Sequence, residues 1–337
     1  MVQLNNMGVI VIGRNEGERL KASLRSLIDV PHRVYVDSGS TDDSLAVARE
    51  LGFETVQLRI PPGFTAARAR NAGLERLLSL NPGLELVQMV DGDCEVASGW
   101  LGAAAAALAR DKETAVVFGR RRERHPEASV YNMLCDVEWD VPVGEAKSCG
   151  GDALFRVEAL VAAGGYSDGL IAGEEPDLCL RLRAQGWKIR RIDAEMTLHD
   201  AAMTRLSQWW NRSRRAGHAF AELVYRHGKD SDPHWTRQVA SIAAWGGVGI
   251  IAALFAVAAP LFGSWVLAGA AALLLLLFAA QVARLTLIGR RRGEPVGKAF
   301  AWAAFLMLGK FPQLQGVALF HKRRLTGARS KLIEYKN

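Results

Sequence analysis

The stretch LVQMVDGDC, Leu86–Cys94, ends an apolar, β-rich run in two carboxylates one residue apart, Asp91 and Asp93, with Gly92 between them. In an open α/β sheet, ligands collect beyond the carboxyl ends of the strands. Gly92 lets the turn bend sharply and lets a ligand approach the backbone. Two hard oxygen donors at that place suit Mg²⁺ or Mn²⁺ held jointly by protein and a diphosphate. An acidic turn after a strand is also common without a metal, so the residues on either side decide the reading.

Upstream, Gly8–Ile12 reads as a short apolar strand, followed by Leu20, Leu24, Leu27 and Ile28 at helical spacing. A second strand, Arg33–Val36, ends at Asp37. The polar turn Ser38–Thr41 comes next, then a helix opening with Asp42 and Asp43, whose charges complement the helix dipole. Strand 53–58, helix 65–80 and strand 86–90 continue the alternation, with further strands over 114–118 and 188–192. Strand–helix alternation predicts an α/β fold with a mostly parallel, doubly wound sheet. Asp37 ends its strand as Asp91 does. It can accept hydrogen bonds from a base N–H or a ribose hydroxyl, or cap the turn after it. Arg70 and Asn71, in ARARNAG, begin a helix face that either points into the crevice, where an arginine meets phosphate, or faces solvent.

Downstream, GEEPDLCLRLRAQGW (Gly173–Trp187) predicts a helix with Pro176 at its start, Leu178 and Leu182 as its buried stripe and Gly186 as its stop. Glu174 and Glu175 fall at the N-terminus, where the dipole favours the ionised carboxylate that a general base requires. Acidic capping alone would need only one of them. CGGDALFR (Cys149–Arg156) sets Gly150 and Gly151 before Asp152, which suits backbone approach to a bulky ligand or a tight turn. His199, in MTLHD, either completes the site begun by Asp93 or makes a structural hydrogen bond. QWWNRSRRAG (Gln208–Gly217) carries Trp209, Trp210, Arg212, Arg214 and Arg215, which suit the bilayer interface or a diphosphate or sugar face.

The chain has 337 residues, 50% of them hydrophobic, and a net charge of +7. The apolar residues are unevenly placed. Val239–Gln281 contains no charged side chain and is about twice the length that one crossing needs, roughly 20 residues. Spans at about 239–259 and 264–284 are expected, with the turn at Pro260–Ser264. Met1 leads straight into a strand-like run, so no signal peptide is expected. The four cysteines, Cys94, Cys135, Cys149 and Cys179, have neither CxxC nor zinc spacing and are expected to stay reduced, as on the cytosolic side. Much of the excess charge follows the apolar run: Arg290, Arg291, Arg292 and Lys298, then Lys322, Arg323, Arg324, Arg329 and Lys331. Such clusters mark a cytoplasmic face and anionic lipid. No nucleic-acid partner is expected, because stacking aromatics and a recognition motif are missing. The stretch 299–320 is long enough to cross, but Lys310, Pro312, Gln313 and Gln315 interrupt it. A third crossing would put its basic end outside, so a re-entrant or interfacial segment is expected, with an ordinary third span as the alternative. The expected organisation is a catalytic domain over 1–225, a linker over 226–238, a membrane region over 239–325 and a basic cytoplasmic tail over 326–337.

Taken together, the motifs resemble the family 2 glycosyltransferases of the GT-A fold, in that family's order and over about residues 7–225. VIGRNEG (Val11–Gly17) looks like the family's first-strand motif, with Ile12 where many members carry proline. DSGSTDDS (Asp37–Ser44) is similar to its nucleotide-contacting turn. DGD resembles its metal-binding triplet. GEEPDL resembles the Glu-Asp motif whose second carboxylate is the base, with Glu175 replacing the usual aspartate and Glu174 beside it. QWWNRSRR is similar to the Gln-x-x-Arg-Trp motif of processive members, although no tryptophan follows Arg212.

The resemblance implies inverting, metal-dependent transfer from a UDP- or GDP-sugar to a hydroxyl. It implies donor contacts from Asn15, Glu16, Asp37, Gly39, Arg70, Asn71, Asp91, Gly151 and Asp152. It implies Mn²⁺ or Mg²⁺ at Asp91, Asp93 and His199, a base at Glu175 or Glu174, and acceptor contacts from Trp209 and Arg212. It further implies a lipid-linked saccharide acceptor in exopolysaccharide or envelope-glycan synthesis, at the inner membrane with the catalytic domain on the cytoplasmic side. Two other readings share the carboxylates: a nucleotidyltransferase, which attacks phosphorus, and an inactive membrane-anchored subunit that binds sugar nucleotide.

Overall fold

Four strands open the chain: β1 (Met7–Gly13), β2 (His32–Asp37), β3 (Glu54–Gln57) and β4 (Leu86–Asp91). They pair in parallel in the order β3-β2-β1-β4. Met7–Ile12 of β1 is buried without alternation, as expected of a strand with helices over both faces. Those covers include α1 (Glu18–Arg25), α2 (Ser44–Glu50) and α3 (Ala66–Leu80). The register sets Gly13 beside Asp37 and Ile12 beside Asp91, so β1, β2 and β4 end together. This is a computed structural model describing residues 4–59, 63–230 and 232–327, which fall into two units, one up to Thr204 and one from Arg205.

The rest of the first unit comprises β5 (Cys94–Val96), α4 (Trp100–Arg110), β6 (Thr114–Glu123), α5 (Val130–Trp139) and β7 (Gly144–Glu145). It continues through β8 (Ala153–Arg156), α6 (Val157–Ala162), α7 (Glu174–Ala184) and β9 (Lys188–His199). The sheet order is β3-β2-β1-β4-β8-β6-β9-β5, with β7 also on β9. The expectation of a mostly parallel sheet needs correction here. β8 runs antiparallel between β4 and β6, and β5 and β7 run antiparallel to β9, so the doubly wound sheet is mixed. A four-residue apolar strand carries no mark of its direction. β8 starts where β4 ends, with Ala153 opposite Met89, and that reversal brings Gly151 and Asp152 to Asp91.

Two strands run further than their apolar cores suggest. β6 continues through Arg120–Arg122 to Glu123, and β9 continues past Asp193 and Glu195 to His199. Their charged residues hide these extensions in the sequence, yet the two strands stay paired to their tips through three register shifts, with Glu123 opposite His199.

The second unit is helical: α8 (Leu206–His227), α9 (Pro233–Phe262), α10 (Trp265–Arg291), α11 (Val296–Leu308) and α12 (Lys310–Thr326). Among the described residues, three segments are long and apolar enough to cross a membrane: Pro233–Phe262, Trp265–Arg291 and Val296–Thr326. The turn between the first two is at Gly263 and Ser264, with Pro260 still inside α9. Their apolar side chains face outward, Trp265 being 90% exposed. The third segment runs through Gly309, whose φ of −59° and ψ of −20° stay helical, and its second half packs along α8 backbone to backbone. A Cβ at Gly217 would stand 2.0 Å from the Gln313 carbonyl oxygen, and one at Gly316 would stand 2.0 Å from that of Arg214. The tail expected over 326–337 lies, from residue 328 on, outside the described residues.

Candidate active site

The two carboxylates of the opening motif sit in different surroundings. Asp91 lies between two guanidiniums, with Arg70 Nη2 donating to its Oδ1 at 2.8 Å and Arg121 Nη2 to its Oδ2 at 3.3 Å. Asp93 faces His199 instead, Nε2 to Oδ2 at 3.2 Å. The His199 ring is held from behind by Glu123, Nδ1 to Oε2 at 3.1 Å, and from the side by the edge-on Trp139 indole at 4.6 Å. Burial alone would lower the His199 pKa. The Asp93 carboxylate and the hydrogen bonds to Asp93 and Glu123 outweigh it and raise the pKa.

Arg70 joins the two motifs that the sequence singled out. Its Nη1 reaches Glu174 Oε1 at 2.9 Å and Glu175 Oε1 at 3.4 Å, so one guanidinium links the end of β4 to the start of α7. The Arg70 side chain is 2% exposed and also lies over the Tyr166 ring. Three carboxylates surround Arg70, which the sequence put forward for a phosphate contact. Gly151 is required by this arrangement, because a Cβ there would stand 2.5 Å from Asp91 Oδ2 and 2.7 Å from Arg70 Nη2. Glu174 is 5% exposed, whereas Glu175 is 17% exposed and further from Arg70. Burial, and then the neighbouring Glu174 carboxylate, push the Glu175 pKa up to about 7, with Arg70 pulling the other way.

Several residues expected to touch the donor prove to build the walls. Asp37 is fully buried, and its carboxylate accepts from the Gly39 and Ser40 amides, each at 2.9 Å, and from the Tyr35 hydroxyl at 3.2 Å. That is the turn-capping alternative. Asn15 ties the loop after β1 to the same turn, its Oδ1 accepting from the Thr41 amide at 2.8 Å. Glu16 pairs with Arg19 at 2.9 Å. Asn71 braces the 166–168 loop, with Nδ2 donating to the Tyr166 carbonyl at 2.7 Å and to Asp168 at 2.6 Å, while Oδ1 accepts from the Tyr166 amide. Asp152, also fully buried, accepts from the Asp91 amide at 2.9 Å and the Thr197 hydroxyl at 2.8 Å. It positions Asp91 from behind. Asp91, Asp93, His199, Glu174 and Glu175 are thus gathered at one end of the sheet. Trp209 and Arg212 belong to the helical unit. Trp209, put forward for the acceptor, is buried edge-on against Phe305 at 5.1 Å, and Arg212 is half-buried.

The sequence reading missed Arg121 and Glu123. The charged run Arg120–Glu123 directly after the apolar Ala115–Phe118 was the available signal, but it stops short of naming their partners. Arg121 also stacks on Trp139 at 4.8 Å and donates to the Cys94 thiol at 3.1 Å. Burial pushes that thiol's pKa well above its ordinary value, so it stays neutral beside the guanidinium. All four cysteines are free.

The donor chemistry fits a hard divalent cation. Asp93 and His199 place an oxygen and an imidazole nitrogen side by side, and Asp93, Cys94 and His199 lie within 4.8 Å of one another through their ligating atoms. Asp91, expected as a ligand as well, has both oxygens engaged by arginine. The mixed α/β sheet, with its carboxylates gathered at one end and a glutamate pair on a helix start, has the GT-A type architecture and is followed by apolar helices. Comparison with known proteins agrees. Residues 8–138 match the model for glycosyl transferase family 2. Beta-monoglucosyldiacylglycerol synthases from Nostoc sp. and Trichormus variabilis are each 23% identical over 228 residues, covering 62% of this chain and 48% of theirs. The chain thus spans about half the length of these curated relatives. Among solved structures, the mannosyltransferase PcManGT from Pyrobaculum calidifontis, in complex with GDP-Man and Mn²⁺, shares the fold. It has a TM-score of 0.59 and 24% identity, over 89% of this chain and 86% of that one.

Proposed function

We propose that this chain is an inverting, divalent-metal-dependent glycosyltransferase that moves a sugar from a UDP- or GDP-sugar to a hydroxyl of a lipid-linked acceptor at a membrane. The carrying observation is Glu175, a half-buried carboxylate with a pKa raised to about 7, gathered with Asp91 and Asp93 at one sheet end. A general base works best with a pKa near the operating pH. In the step proposed, the acceptor oxygen attacks the anomeric carbon from the face opposite the leaving group, and its proton passes to a Glu175 carboxylate oxygen. The bond from the anomeric carbon to the nucleoside diphosphate breaks, and the electron pair leaves with the diphosphate. Asp93 and His199 would hold Mn²⁺ or Mg²⁺, which offsets the charge on the departing diphosphate. Arg70 keeps Glu174 and Asp91 paired, so that one carboxylate of the cluster, Glu175, stands free enough to take the proton.

The acceptor and the topology rest on further support. The curated relatives are named for making a monoglucosyl-diacylglycerol, a lipid bearing one sugar, and the second unit here presents outward-facing apolar helices. The free cysteines and the basic 290–298 stretch favour a cytoplasmic catalytic domain at the inner membrane. The packing of α12 on α8, with Lys310, Gln313 and Gln315 on it, favours two crossings plus an interfacial segment. The test is product analysis. Membranes containing the chain are supplied with a panel of UDP- and GDP-sugars, and lipids are read by mass spectrometry. The expected result is one lipid gaining a hexose mass, lost with chelator. Transfer of a nucleotidyl group, or no lipid product from any donor, would overturn the reading.

A further inference from the structure

We infer that Glu123 is a positioning residue that fixes the proton and orientation of His199 so that its Nε2 is offered to the cation at Asp93. The inference rests on the metal-dependent reading above. Glu123 ends β6 with a side chain that is 0% exposed. It accepts from the Ala201 amide at 3.1 Å, the His125 amide at 3.3 Å, Asn132 Nδ2 at 3.3 Å and His199 Nδ1 at 3.1 Å. Every one of the first three is a donor that can only donate, so this pocket is built for a carboxylate that only accepts.

The fourth contact has a consequence for the imidazole. Both ring nitrogens face a carboxylate, Nδ1 that of Glu123 and Nε2 that of Asp93 3.2 Å away; a cation held by Asp93 would take the place of the proton on Nε2, while Glu123, closed in by its other donors, keeps the proton on Nδ1. Rotation of the ring is blocked by Trp139, packed edge-on at 4.6 Å. The backbone adds its own constraint. Glu123 and His199 are register partners at the tips of β6 and β9, and Cys94 and His199 are partners across β5 and β9. Carboxylate, imidazole and Asp93 therefore lie in one line across three strand ends. A carboxylate on the far nitrogen fixes the tautomer and raises the basicity of a metal-ligating histidine, and its loss typically weakens metal binding about 10–100-fold.

The experiment is a double-mutant cycle on the purified full chain, read as Mn²⁺ dissociation constant by electron paramagnetic resonance of free Mn²⁺, without substrate. Glu123→Gln should raise the dissociation constant roughly 10–100-fold in the parent and leave it unchanged in a His199→Gln background. Glu123→Asp keeps the buried charge but draws it one methylene away from Nδ1. It should show the same pattern more weakly, and it serves if the amide variant does not fold. The ¹⁴N coupling to bound Mn²⁺, present in the parent, should weaken in both. An unchanged dissociation constant, or an equal loss in the two backgrounds, overturns the role of Glu123 while leaving the transfer reading standing. A parent that binds no Mn²⁺ yet transfers sugar overturns the metal reading and this inference with it.

Discussion

Replacing Glu175 by glutamine should make the protein more stable and nearly inactive at once. In the folded chain, burial and the Glu174 carboxylate push Glu175 up to about 7 from an ordinary value of 4.5. The folded state therefore holds this proton more tightly than the unfolded state does. The stability it contributes is fully present below about pH 4.5 and is lost as pH rises through about 7. The full difference corresponds to roughly 3 kcal/mol at 1.36 kcal/mol per pH unit. Glutamine escapes that penalty, which already counts the attraction of Arg70 at 3.4 Å. At pH 8 the variant should thus be stabilised by about 3 kcal/mol, or roughly 6–12 °C for a unit of this size. At pH 4 the difference should vanish. Turnover should fall by about 10²–10⁴-fold with donor affinity little changed, because the base acts in the transition state. Parent turnover should rise between pH 6 and 8 with a midpoint near 7. Fluorescence melts in detergent at both pH values, paired with initial rates, check all of this. A variant less stable than the parent at pH 8, or an inactive Glu174→Gln beside an active Glu175→Gln, would refute the reasoning.

Asp93→Asn should nearly abolish transfer and Mn²⁺ binding, since an amide is a weaker, uncharged ligand for a hard cation; EDTA should do the same to the parent, with activity restored by Mn²⁺ or Mg²⁺. Arg70→Met leaves Asp91, Glu174 and Glu175 crowded without their shared cation, so it should destabilise the first unit by about 3–5 kcal/mol, measured by chemical denaturation. For topology, a cysteine placed at Ser330 should resist an impermeant maleimide in intact cells; labelling from outside would mean three crossings.

What the sequence determined by itself is the part of this protein governed by local chemistry. Short apolar runs such as Gly8–Ile12, and Val87–Val90 with only Gln88 among them, read as strands buried on both faces, and each ends in polar residues where the sheet stops. Pro176 and the leucines after it make α7 with the glutamates at its start, and the uncharged run after Val239 makes long apolar helices. Partnership was decided only by the tertiary structure, because it depends on which strand enters the sheet beside which and in what direction. Asp37 and Asp91 look alike in sequence, each a carboxylate ending a strand. One is closed in by its own turn, and the other faces two arginines from α3 and β6. The reversal of β8 brought Gly151 and Asp152 to Asp91, and the long register of β6 with β9 brought Glu123 to His199 across 76 positions. Contacts made over such separations follow from packing the whole sheet, and neither residue's neighbours in the chain carry any trace of them.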